Sequence, residues 1–173
     1  MNQNETAHLE IERRFLIARP EENYLDALED CAYTDIEQTY LLAPEPNVTE
    51  RVRKRGVSPN YVYTHTRKIR LSSATHEEDE REITKDEYET LKKRADPERN
   101  VIFKRRYVLS RGGHAFEIDL YPFWKKQAVM EVELHSEAES VTLPGEIRVL
   151  REITGNRAYS NAALSKKIPP EDE

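Results

Sequence analysis

The chain has 173 residues, enough for one domain with a real core. Its 27 Lys and Arg against 33 Asp and Glu give a net charge of -6, which excludes a generally basic nucleic-acid binder but not a local basic site. The one cysteine, Cys31, excludes an internal disulfide and cysteine-based zinc sites, and no apolar run reaches membrane-spanning length.

Eight strands are predicted, in chain order Leu9–Ile17, Ile36–Leu42, Thr49–Arg55, Tyr61–Arg70, Glu78–Ile83, Val101–Leu109, Ala115–Tyr121 and Ala128–His135. The separators Ala43-Pro44-Glu45-Pro46-Asn47, Gly56-Val57-Ser58-Pro59-Asn60 and Arg111-Gly112-Gly113 carry turn chemistry, so successive strands form antiparallel hairpins. Three helices are predicted. Pro20 to Asp30 opens on a proline and spaces Leu25 and Leu28 three apart. Thr84 to Arg94 opens on a capping box, Thr84-x-x-Glu87, and puts Tyr88 and Leu91 on one face. Ala158 to Lys167 follows Gly155. The polar stretch Met1 to His8 has no apolar signal segment, so the expected compartment is the cytoplasm, and the tail from Pro169 is expected to fray. No composition break divides the chain, which reads as one domain over residues 1–173, with its core at about 9–167 and a tail at 168–173.

Side chains at i and i+2 of a strand share a face, about 7 Å apart. On that spacing the first strand places Glu10, Glu12 and Arg14 together, and the third places Arg51, Arg53 and Arg55. The fourth aligns Thr64, Thr66, Lys68 and Arg70, and the fifth pairs Glu80 with Glu82. The sixth pairs Lys104 with Arg106, the seventh Glu117 with Asp119, and the eighth Glu131 with Glu133. Opposite these lie apolar residues such as Phe116, Ile118, Met130 and Val132. Every strand except the second therefore has a charged face.

Two architectures use such strands: an open sheet with a solvated charged face, or a closed barrel with the charges inside. Burying like charges alone costs several kcal/mol per ion. The proposed inward set has eight acids and eight bases, a balance that makes an enclosed polar lumen tolerable. Carboxylate clusters suit hard divalent cations such as Mg²⁺ or Mn²⁺, and guanidinium forks match phosphate oxygens. A metal–polyphosphate complex engages both sets at once.

The segment Glu10-Ile11-Glu12-Arg13-Arg14-Phe15-Leu16 resembles the N-terminal signature of the CYTH superfamily, the triphosphate tunnel metalloenzymes. Arg51-Val52-Arg53, Thr66-Arg67-Lys68, Glu80-Arg81-Glu82 and Lys104-Arg105-Arg106-Tyr107 are similar to its next stations, in order. Phe116-Glu117-Ile118-Asp119 and Val129-Met130-Glu131-Val132-Glu133 resemble its last two strands, and Glu152 through Leu164 its C-terminal helix, so the likeness runs from about Leu9 to Lys166. Arg14 stands where the family usually has Lys, and Glu78 lies near a position that is often Arg.

The resemblance implies an α+β, mainly antiparallel fold: an eight-stranded closed β-barrel, the triphosphate tunnel, with helices packed outside. It implies a metal-dependent enzyme of the short bacterial inorganic triphosphatase type, which hydrolyses the terminal phosphoanhydride of tripolyphosphate. Class IV adenylate cyclase and thiamine, nucleoside or RNA triphosphatase share the fold, and a triphosphate-binding module with little turnover is a further alternative. The implied metal ligands, for Mg²⁺ or Mn²⁺, are Glu10, Glu12, Asp119, Glu131 and Glu133. The implied phosphate ligands are Arg14, Arg51, Arg53, Lys68, Arg70, Lys104 and Arg106, and the implied catalytic residues are Arg14, Glu80 and Glu82. The expected partner is a small-molecule triphosphate, with neither a membrane nor a nucleic acid; the oligomeric state stays open.

Overall fold

A computed structural model describes residues 8–172. It contains nine strands: β1 (His8–Ala18), β2 (Cys31–Tyr40), β3 (Val48–Val57), β4 (Asn60–Arg70), β5 (Thr75–Ile83), β6 (Ile102–Arg111), β7 (His114–Leu120), β8 (Gln127–Leu134) and β9 (Val149–Glu152). Their order is β5-β4-β3-β2-β6-β7-β8-β1-β9, every pairing is antiparallel, and β5 also pairs with β1. That last pairing closes an eight-stranded barrel. β1 meets β5 over His8–Ile11, then leaves it, and β9 takes over beside Phe15–Ile17. The ninth strand was not expected from the sequence, because Val149-Leu150-Arg151-Glu152 shows no period-2 alternation to announce it.

The barrel is turned inside out relative to an ordinary globular core. Phe15, Ile17, Phe116, Ile118, Met130 and Val132 face outward, yet all are at most 2% exposed. Leu25 and Ile147 complete this outer core, with Val141, Leu143 and Val149 packed against it. Each such buried side chain contributes roughly 1.5–3 kcal/mol. The opposite parity of the same strands is polar along most of the lumen and turns apolar at one end. There Leu16, Tyr40, Ile102, Tyr121 and Val129 meet Trp124, Tyr159 and Leu164, so the C-terminal segment plugs the barrel.

All three helices are shorter than expected. α1 (Glu22–Asp26) has no side-chain cap and is anchored by Leu25, and the chain enters β2 already at Cys31. α2 (Lys85–Lys92) starts on the expected cap, with Thr84 Oγ1 accepting from the Glu87 N–H, an interaction of about 1 kcal/mol. Its Tyr88 and Leu91 cover Val52, Ile83 and Tyr63 on the outer faces of β3–β5. The third helix splits into a 3-10 turn (Arg157–Tyr159) and α3 (Asn161–Leu164), because Ser160 adopts an extended conformation and caps α3 by accepting from the Ala163 N–H. The tail does not fray through Asp172. Trp124 Nε1 donates to the Pro169 carbonyl at 3.0 Å, Glu171 accepts from the Lys125 and Lys126 N–H groups, and Arg151 pairs with Asp172. Among the described residues, no helix is long and apolar enough to cross a membrane.

Candidate functional site

The lumen holds a cavity of about 470 Å³. Its acidic wall comes from β1 and β8, where the register sets Glu131 beside Arg14 and Glu133 beside Glu12. Glu10, Glu12 and Glu131 each bring one carboxylate oxygen within 4.8 Å of the other two. Such crowding raises the Glu12 pKa well above the ordinary value, through burial first and the Glu131 charge second. Burial pushes Glu131 the same way, but Arg14 and Arg106 outweigh it and hold the carboxyl at about 2. One oxygen of Glu12 is buried with no hydrogen-bond partner. Three hard oxygen donors with mutual repulsion and an unpartnered oxygen fit a divalent cation well.

Glu78 of β5 extends this wall. Burial and then the facing Glu10 raise its pKa to about 7, while Lys68 Nζ lies 3.2 Å from Glu10 and 3.7 Å from Glu78. His76, on the same face, is driven down to about 4 by burial and by Lys68, so it is neutral at pH 7.

The basic wall is β3. Arg51, Arg53 and Arg55 line the cavity, and the Nε of both Arg51 and Arg53 is buried without a partner. Burial, then Arg51 and Arg106, lower Arg53 to about 9, the mark of a cation confined among cations. Glu80 offsets part of this charge. It accepts from Thr66 Oγ1 at 2.8 Å, and that bond together with Arg53 and Arg51 lowers its pKa against the effect of burial. Arg14 is committed elsewhere: Nε donates to Glu131 at 3.1 Å and Nη2 to the Tyr159 carbonyl at 3.0 Å.

A third group stands behind the cavity surface. Asp119 accepts from Arg106 Nε at 2.7 Å, Arg106 Nη2 at 2.8 Å and Lys104 Nζ at 2.7 Å. Arg106 also reaches Glu117 at 2.5 Å. Burial alone would raise Asp119, but Arg106 and Lys104 depress it strongly. Lys104 falls to about 7 in spite of its short contact with Asp119, because burial and the Arg106 charge together outweigh that carboxylate.

Of the residues expected from the sequence, the cavity lining brings together Glu10, Glu12, Arg14, Arg51, Arg53, Lys68, Arg70, Glu80, Arg106 and Glu131. It does not include Lys104 and Asp119, which are buried behind Arg106, or Glu82 and Glu133, which are exposed at strand ends. Asp119 thus stands apart from the acidic triad because both its oxygens are taken by cations. The sequence reading missed Tyr40, His76, Glu78 and the rim residues Asn47, Asn156, Arg157 and Lys166. For His76 and Glu78 the signal was present, since they continue the alternation of Glu80: Glu78 opens the predicted strand, and His76 lies outside it because that strand began three residues late.

No protein-family model and no curated protein matches the chain. Solved structures do. The crystal structure of the inorganic triphosphatase NE1496 is 27% identical, covers 93% of this chain and 97% of its own, and superposes with a TM-score of 0.59. A conserved hypothetical protein from Pyrococcus furiosus is 24% identical over 75% of this chain and 80% of its own, with a TM-score of 0.55. The PH1012 protein from Pyrococcus horikoshii is 22% identical over 73% and 80%, with a TM-score of 0.54. These last two share the fold.

Proposed function

We propose, from the chain's likeness to the inorganic triphosphatase NE1496, that it is a triphosphate tunnel enzyme of the CYTH superfamily and hydrolyses inorganic triphosphate to pyrophosphate and phosphate with a divalent cation, Mg²⁺ or Mn²⁺. The observation that carries this reading is the pairing of two incomplete walls. Three carboxylates converge on one side, and two arginines with buried, unpartnered Nε atoms stand on another side of the same cavity. Each wall lacks the charge that the other cannot supply, and a metal–triphosphate complex carries both.

Glu10, Glu12 and Glu131 would hold the cation, which when bound neutralises phosphate charge and acts as a Lewis acid. Arg51, Arg53, Lys68 and Arg106 hold the phosphate chain by charge-assisted hydrogen bonds. Phosphoryl transfer needs mainly positioning and charge neutralisation, and these side chains provide both. Arg53 gains most, since an anion relieves the crowding that lowers its pKa. Glu80, hydrogen-bonded to Thr66, fixes the charge balance beside Arg51 and Arg53. Arg14, held by Glu131 and the Tyr159 carbonyl, ties the acidic wall to the C-terminal plug.

The test is phosphate release from tripolyphosphate with Mg²⁺ or Mn²⁺, with EDTA, and beside ATP. Metal-dependent release from tripolyphosphate with poor use of ATP is the expected result. Preferential turnover of ATP, or none of either substrate, overturns the proposal.

A further inference from the structure

Lys104, Arg106 and Asp119 form an ionic cluster in which Lys104 and Asp119 are 4% and 3% exposed and Arg106 reaches the cavity. A buried ion cluster is weak evidence of a stability role, because well-packed apolar residues of similar size frequently serve as well. Its geometry is specific. Arg106 presents Nε and Nη2 to Asp119 in a bidentate fork at 2.7 and 2.8 Å, and its Nη1 meets Glu117 at 2.5 Å. That fixes the guanidinium plane. Arg106 lines the cavity, while Asp119 and Lys104 do not. Both Asp119 oxygens are already occupied by three N–H donors.

We infer that Asp119 is a positioning residue for triphosphate: it orients the Arg106 guanidinium toward the phosphate chain, with Lys104 as its second counter-charge, and takes no part in holding the cation. The inference rests on the proposed triphosphate reading and deepens it. It divides the tunnel carboxylates into those that meet the cation and one that acts through an arginine. The fork explains why Asp is used here. A carboxylate accepting two parallel N–H bonds locks an arginine in a way that a single acceptor does not.

The test uses D119N and D119E, with two binding measurements and steady-state kinetics. Tripolyphosphate binding is followed by calorimetry in EDTA, and Mn²⁺ binding by electron paramagnetic resonance without phosphate. D119N keeps the shape but loses one acceptor and the charge; D119E keeps the charge but displaces the fork. Both variants are expected to weaken tripolyphosphate about tenfold and to raise KM more than they lower kcat, the loss expected when one charge-assisted hydrogen bond from Arg106 to the phosphate chain is misaligned. Mn²⁺ affinity is expected to stay at the wild-type value in both.

Weakened Mn²⁺ binding with unchanged tripolyphosphate binding overturns the inference and makes Asp119 a metal ligand. Tighter tripolyphosphate binding by D119N with a wild-type D119E also overturns it, because a purely electrostatic role predicts that pattern. Should D119N fail to fold, D119E decides alone. Wild-type protein that fails to bind tripolyphosphate at all contradicts the functional reading itself, whatever the variants do.

Discussion

The two groups of tunnel cations obey opposite rules. On β3, Arg51 and Arg53 leave buried Nε atoms without a partner, and burial, then the Arg51 and Arg106 charges, lower Arg53 to about 9. On β6, Arg106 and Lys104 make short contacts to Asp119 and Glu117. An unpartnered buried charge is costly, so it persists where a ligand completes it. A completed one supports its neighbours. Among the acids the contrast is between Glu12, raised by burial and by the Glu131 charge, and Asp119, which is fully occupied. Residual frustration therefore marks where the ligand sits, and satisfaction marks what holds the site in shape.

The largest effect that can break this contrast is E12Q. It is expected to lower metal-dependent turnover at least about a hundredfold, beyond the loss usual for groups that merely orient a metal ligand. Because Glu12 is disfavoured as an anion, the metal-free E12Q protein should melt at the same temperature as wild type or higher. A lower melting temperature with retained activity contradicts the assignment.

Next comes R53Q. A hydrogen bond to a charged group contributes about 1.5–3 kcal/mol, so KM for tripolyphosphate should rise between about tenfold and a hundredfold. The metal-free protein should lose no stability, since the variant removes a buried cation crowded by Arg51 and Arg106. An unchanged KM is inconsistent with phosphate lying on β3.

The pH dependence of metal-free stability gives a smaller effect with a definite sign. Glu78 is raised from 4.5 to about 7, and Glu12 is also raised. Their contribution is fully present below pH 4.5 and is lost as pH rises toward the folded-state values. Asp119 and Glu131 are lowered, so theirs is present above the unfolded pKa and lost as pH falls below about 4. His76, lowered from 6.5 to about 4, acts with the opposite sign over much of the same range. The Glu78 part is therefore read as a difference: the melting temperature of wild type in EDTA, relative to E78Q, should fall as pH rises from about 4.5 to 7, and a pH-independent difference rules out this origin.

The smallest effect is expected at Gly155, where φ is +75° and an added Cβ would stand 2.9 Å from the Ser73 Cβ. G155A should lose about 1–2 kcal/mol from the left-handed backbone alone. Replacing Ser73 with Gly should recover only the steric part.

How much of this was legible in the sequence depends on the range of the signal. Period-2 alternation on Glu10-x-Glu12-x-Arg14 or Arg51-x-Arg53-x-Arg55 is local, so these strands and their inward faces could be read directly. The outer core was legible for the same reason, as the other parity. Charge balance made a closed barrel tolerable and the family resemblance implied it; the β5–β1 pairing carries it. Depth along the barrel was not legible. Asp119 and Glu131 look alike in sequence, and only the cross-strand register sets Asp119 beside Arg106. The plug was missed as well: Leu16, Tyr40 and Tyr121 share the parity of the charged residues, so what distinguishes them is which end of the lumen they occupy. Glu133 and Glu82 share the parity of the lining residues but not their depth, which alternation does not carry.

The most direct measurement is a crystal structure with tripolyphosphate and Mn²⁺, using the manganese anomalous signal. The expected result is a peak among the carboxylates of Glu10, Glu12 and Glu131, with phosphate oxygens on Arg51 and Arg53 and the Asp119–Arg106 fork intact. A manganese peak on Asp119, or a phosphate chain lying away from β3, contradicts the account.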